Sequence, residues 1–220
     1  MNDRSTRDAG YRWIKLGAIC GLLVWFVYAA LIFGQLPEPA AVTLVCAFGP
    51  LLGIASVGLY HFIAIAGRTV TLQIAAVANV IGGTLLTTML LVQGSLNLRM
   101  EKAIAKAADP AASESLKAVW RGVDSVQLGL DVAWDVFIAL GTLLFAFNML
   151  RHPRLGKIIG ILGILLAVGL FALNVYTFPT PPGEAGLIDL GPFAGLWYLV
   201  VAIIVLRSLG WARDKLNSAM

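Results

Sequence analysis

Six apolar stretches constrain this chain more than anything else in it. They run over 14–34, 41–66, 70–93, 126–150, 157–178 and 191–207, and each meets the roughly 17–25 residues needed to cross hydrocarbon as a helix. In a bilayer core every backbone N–H and C=O must find its partner inside the segment, so such stretches fold as helices. The expected fold is all-α: one domain over 1–220, an integral membrane bundle of six transmembrane helices. Composition agrees. Only 13% of the residues are charged, about half the share usual in soluble domains, and the mean hydropathy is +0.86.

The net charge of +4 belongs to basic residues at membrane edges. No Lys/Arg run with interleaved aromatics points to nucleic acid, so the bilayer is the partner that composition implies. Arg4, Arg7 and Arg12 precede the first apolar stretch, as in a signal peptide. That stretch exceeds the usual 7–15-residue apolar region and lacks a small-residue cleavage site, so it is expected to stay as the first span. Cys20 and Cys46 lie at different depths and are expected to be free thiols.

Orientation follows from the basic residues flanking the spans. The N-terminal segment, Arg68, the 151–157 turn and the C-terminal tail together hold eleven Lys and Arg residues, against five in 94–125. Both termini are therefore expected on the cytoplasmic side of a multi-pass membrane protein. The long 94–125 connection should be a helical hairpin that extends spans three and four beyond the membrane. Asp109 serves as N-cap there and Pro110 takes the first helical position, with Leu98, Ile104, Leu116, Val119 and Trp120 along the seam. Such a hairpin offers a docking surface for a protein partner.

Inside the fourth apolar stretch, "LGLDVAWDVF" places Asp131 and Asp135 four residues apart and hence on one helix face. Asp124 falls on the same face. At 1.5 Å per residue, Asp135 sits roughly 10 Å below the outer end of its span. A charged aspartate at a helix centre costs about 2.5–3.5 kcal/mol, so such residues turn towards partners or water. No Lys or Arg shares that depth. Asp135 is expected to be protonated, or paired through Asn174, a threonine, water or a ligand cation.

Other polar and aromatic residues are placed at similar depth: Thr84, Thr87, Thr88 and Gln93 of span three, Asn174, Tyr176 and Thr177 of span five, Tyr28, Trp197 and Tyr198. Pro50 should loosen span two near mid-depth. Together they outline an outer-half pocket for a small or lipid-like ligand. Asp131 and Asp135 would be its anchors, Asn174 and Thr88 its hydrogen-bonding groups, and Trp134, Tyr176 and Trp197 its walls. His61, Gln73, Asn79 and Asn148 form a candidate polar relay nearer the cytoplasm. Structural glue for the aspartates stands beside the pocket reading, as does catalysis.

Several chemistries are poorly served. Only His61 lies in a span, too few histidines for bis-histidine haem, and no CxxC or HExxH pattern supports zinc. No GxSxG elbow or Walker loop appears, so no catalytic residue, metal or cofactor is assigned. Asp131 and Asp135 match the end of the CDP-alcohol phosphotransferase motif, but "RGVDSVQLG" does not supply its upstream part. Both acids share one helix, which is awkward for an aspartyl intramembrane protease.

The stretch "WDVFIALGTLLFAFNMLRHPRLGKIIGILGILLA" resembles the C-terminal half of a broad set of uncharacterised bacterial polytopic membrane proteins. In these an Asp-bearing span runs through a short basic turn into a Gly-rich span. The likeness covers spans four to six and implies a bacterial inner-membrane protein without a known active site. The functional expectation is ligand binding or sensing. A small proton-linked transporter and a subunit of a larger membrane complex are the alternatives.

Overall fold

The computed structural model describes residues 3–218, with side chains from residue 8 onward. The side chains of Arg4 and Arg7, counted in the orientation above, lie outside the described residues. Seven helices follow one another: α1 Asp3–Phe33, α2 Glu38–Ile63, α3 Val70–Ala105, α4 Pro110–Met149, α5 Gly156–Thr177, α6 Gly191–Arg207 and α7 Leu209–Ser218. No strand occurs among the described residues. The protein is an all-α membrane bundle. Five helices are long and apolar enough to cross a membrane, and α6 passes with α7 only as a pair bent by 58°.

The outer surface of the bundle is apolar, unlike that of a soluble protein, and several polar side chains are buried within its apolar core. Phe26, Phe147, Ile158 and Leu165 are exposed around its sides, whereas Ser56, Asn79, Gln127, Asp135, Thr142 and Asn174 are buried. In lipid the apolar surface has nothing to flee from, and the polar groups seek each other. Small residues let the backbones approach: Gly17 of α1 lies against Gly58 of α2, Gly49 of α2 against Gly83 of α3, and Gly21 against Ala202 of α6. The Gly49 N–H, next to Pro50, donates to Thr87 Oγ at 3.1 Å, tying the proline site of α2 to α3.

Helices α3 and α4, with 36 and 40 residues, are about 54 and 60 Å long. Both exceed the roughly 45 Å of a whole bilayer, so their shared end projects beyond it as a hairpin closed at 106–109. Asp109 caps α4 by accepting the Ala112 N–H at 2.8 Å, and Pro110 opens the helix. The seam is looser than expected. Leu98, Ile104, Leu116 and Trp120 are half-buried, but Val119 is 56% exposed, and Leu96 supplies the buried contact at the base. At the opposite end the "RHPRLG" turn closes through Gly156, whose φ of +73° is a left-handed value that glycine adopts without a Cβ penalty. Cys20 is buried and Cys46 exposed, and both are free.

The connection 178–190 shapes the site. Leu190 packs on Gly169, about eight residues before the end of α5, so α6 starts roughly 12 Å down the α5 axis. The connection therefore dips back into the hairpin side of the bundle before α6 begins.

Candidate functional site

The face of α4 that carries Asp124, Gln127, Asp131 and Asp135 turns into the bundle: Gln127 and Asp135 are buried and Asp131 is half-buried. Asp135 is 6% exposed. Its carboxylate accepts from Asn174 Nδ2 at 2.8 Å, and the same amide donates to the Leu170 carbonyl at 3.0 Å. Asn174 is fully buried, and its Oδ1 has no hydrogen-bond partner. An unsatisfied buried acceptor costs about 1–3 kcal/mol unless something fills it.

The dipping connection delivers two further acids. Asp189 comes within electrostatic reach of Asp131, Asp135 and the Tyr28 hydroxyl, and Glu184 within reach of Asp131. Asp189 is itself held by the Gly191 N–H at 2.8 Å. Trp134 and Tyr28 pack together against Val27, Phe48, Leu86 and Met89 at this end of the bundle. Among the described residues none of these carboxylates has an ion-pair partner. No group of three or more His, Cys, Asp or Glu is placed to chelate a metal ion among the described residues. Chemically the cluster suits a proton or a diffuse organic cation.

Three residues assigned to this pocket from sequence do not reach it. Thr88 faces outward on α3 and donates to the Thr84 carbonyl at 2.9 Å. Tyr176 is 81% exposed, because two residues of helix turn it about 200° from Asn174. Trp197 is buried deeper in the bundle, where its Nε1–H donates to the Ile159 carbonyl at 2.9 Å. The late start of α6 carries it below the aspartates. Asp131, Trp134, Asp135 and Asn174 remain. Asp189 was missed as a site residue; the apolar "GLIDL" around it was the available sign that the connection turns inward.

No protein-family model, curated protein or solved structure matches this chain. The site therefore stands on its own geometry.

A second polar cluster lies two turns further along α4. Tyr198 Oη accepts from Asn79 Nδ2 at 2.8 Å and shares a hydrogen bond with Thr142 at 2.8 Å, while Asn79 Nδ2 also donates to Ser56 Oγ at 3.1 Å. Ser56 in turn donates to the Leu52 carbonyl at 2.8 Å. Asn79 Oδ1 abuts Gly141, leaving no room for a side chain there. Beside Ser56 and Tyr198 a cavity of about 30 Å³ opens between α1, α2 and α6, large enough to admit a water. The relay expected around Asn79 does not form. Asn148 bonds Thr69, Thr71 and the Leu144 carbonyl, His61 stacks on Trp13, and Gln73 is exposed.

Tyr198 joins three helices, so Tyr198→Phe should cost about 1–2 kcal/mol, from interhelical bonds worth about 0.6 kcal/mol each plus the unpartnered Thr142 hydroxyl. Unfolding in denaturing detergent measures this. Tyr176→Phe, on the exposed face, should leave the midpoint unchanged, and equal midpoints for both variants would contradict the hub.

Proposed function

We propose that this chain is a bacterial inner-membrane protein with six spans and both termini in the cytoplasm, which binds a small organic cation between α4, α5 and the 178–190 connection. The bias of basic residues supports the orientation, and the bent α6–α7 pair supports a sixth crossing. One observation carries the ligand reading. Asp135 is buried with Asn174 as its hydrogen-bond partner and with Asp131 and Asp189 within electrostatic reach, Glu184 lies near Asp131, and no ion-paired base accompanies them among the described residues. Asn174 also carries a buried Oδ1 acceptor without a partner. An ammonium group offers donors to these oxygens and cancels the buried charge, which a neutral lipid-like ligand would not do.

The test is a thermal-shift panel of primary to quaternary alkylammonium ions on the purified protein. Asp135→Asn keeps the size of the side chain and a hydrogen bond to Asn174 but removes the charge. Charge-assisted contacts are worth about 1.5–3 kcal/mol, so its affinity should fall about 10- to 100-fold. Stabilisation of wild type and variant by the same amount, or of neither, would refute the reading.

The Tyr198 cluster and its water-sized cavity, two turns below Asp135, favour one second reading, a small proton-linked transporter. In that case Asp135→Asn abolishes cation-driven proton movement in proteoliposomes, and an unchanged proton signal excludes it.

A further inference from the structure

A separate groove runs along the hairpin end of α3, away from the aspartates. Leu91, Val92, Ser95, Leu96 and Arg99 share one face of α3 at helical spacing, and Val123 of α4 closes the far wall. The groove measures about 480 Å³ and is mostly apolar. It opens sideways, towards the space that lipid occupies, because Leu91 and Val123 are both more than a third exposed.

Arg99 closes its outer end. It is exposed and has no ion-pair or hydrogen-bond partner among the described residues. Arg99 lies 29 residues after Val70, hence about 43 Å along α3, which matches the roughly 40–45 Å between the two polar faces of a bilayer. The guanidinium thus sits at headgroup level, with the apolar groove running inward beneath it. Glu101 is turned about 200° round the helix from Arg99 and does not compete for its charge. The Ser95 hydroxyl, one turn below Arg99, adds a donor.

We propose that this groove seats one glycerophospholipid of the hairpin-side leaflet, its phosphate on Arg99 and Ser95 and an acyl chain along Leu91, Val92, Leu96 and Val123. Charge complementarity selects the occupant. A free cation above an apolar furrow fits an anionic head on a hydrocarbon tail, and guanidinium binds phosphate in a two-pronged geometry. A partner helix would fill the furrow but leave Arg99 unpaired.

Native mass spectrometry of delipidated protein titrated with dioleoylphosphatidylglycerol tests this. Wild type should take up one lipid ahead of any further ones. Arg99→Gln and Ser95→Phe, both at exposed positions, should each weaken that first uptake at least tenfold. Lys117→Gln, which removes a hairpin cation already paired with Glu114, should leave it unchanged. Unaltered uptake in Ser95→Phe overturns the groove seat even if Arg99→Gln weakens binding. Equal loss in Lys117→Gln reduces the effect to general surface charge and also overturns it. A lipid-free dimer that Ser95→Phe converts to monomer assigns the groove to a second copy instead.

Discussion

Gly58→Ala should destabilise the bundle by about 2–3 kcal/mol, the cost typical of forcing a methyl into a filled site. A Cβ at Gly58 would stand 2.5 Å from the Gly17 Cα and 2.6 Å from the Trp13 carbonyl oxygen. Both obstacles are backbone, so no side chain can swing aside, and α1 and α2 must separate along their crossing. That separation also loosens the stacking of Trp13 on His61 nearby. Without a hydrophobic drive between helices in lipid, close packing is what holds such a crossing together. The control is Gly129→Ala on α4, where a Cβ meets nothing within 4 Å. There the substitution should be neutral or slightly stabilising, because alanine favours helix over glycine by up to about 1 kcal/mol. Unfolding midpoints of the two variants in denaturing detergent should move in opposite directions or differ by the full cost. A common shift would show that the crossing is not tight.

The second large effect is a loss of stability in acid at the end of the bundle away from the hairpin. His152, in the turn between α4 and α5, is 2% exposed and packs between Phe62 and Trp211, with ring centroids 4.9 and 5.3 Å away. Its Nδ1 accepts the N–H groups of Arg154 and Leu155 at 3.2 and 3.3 Å. Its Nε2 faces the Phe62 carbonyl without hydrogen-bond alignment. Burial holds its pKa down to about 4, against 6.5 for a free imidazole. The folded state therefore binds fewer protons than the unfolded state between these values, and stability rises with pH across the window. It is complete above about pH 6.5, falls by about 2 kcal/mol by pH 5, and is lower by about 3 kcal/mol at pH 4 and below.

A proton on Nδ1 would also abolish both turn hydrogen bonds and place a cation beside Arg154, which sits 5.6 Å over the Trp211 ring. The first element to loosen should be α7, docked through Trp211 and the fully buried Ala212. Hydrogen exchange across 209–218 should accelerate from pH 7 to pH 5, after correction for the intrinsic rate. His152→Asn keeps an acceptor in the turn without a titrating ring and should flatten that dependence. An identical profile in wild type and variant would place the acid sensitivity elsewhere.

Much of the architecture was legible from composition and spacing alone. Apolar stretches of bilayer length dictate helices, since hydrocarbon offers the backbone no other partner. Asp109 and Pro110 announce the start of α4, because a short acceptor side chain followed by proline meets the needs of a helix N-terminus. Asn174 was also readable as one of several candidate partners for Asp135, a polar residue at matching depth on a neighbouring span with no base available.

Other relationships needed the folded chain. Helical period already separates Tyr176 from Asn174, and depth alone was a poor guide to it. Thr88 turns outward because the Gly49–Gly83 contact sets the rotation of α3 against α2. Trp197 lies deeper than expected, and Asp189 reaches the aspartates, because the 178–190 connection dips inward, an axial offset that no period encodes. A sequence determines which segments enter the membrane and how far along each helix a residue lies. The rotation and sliding of one helix against another arise from contacts between residues distant in the chain. Those contacts bring Asp189 to the aspartates and gather Ser56, Asn79, Thr142 and Tyr198 into one buried cluster.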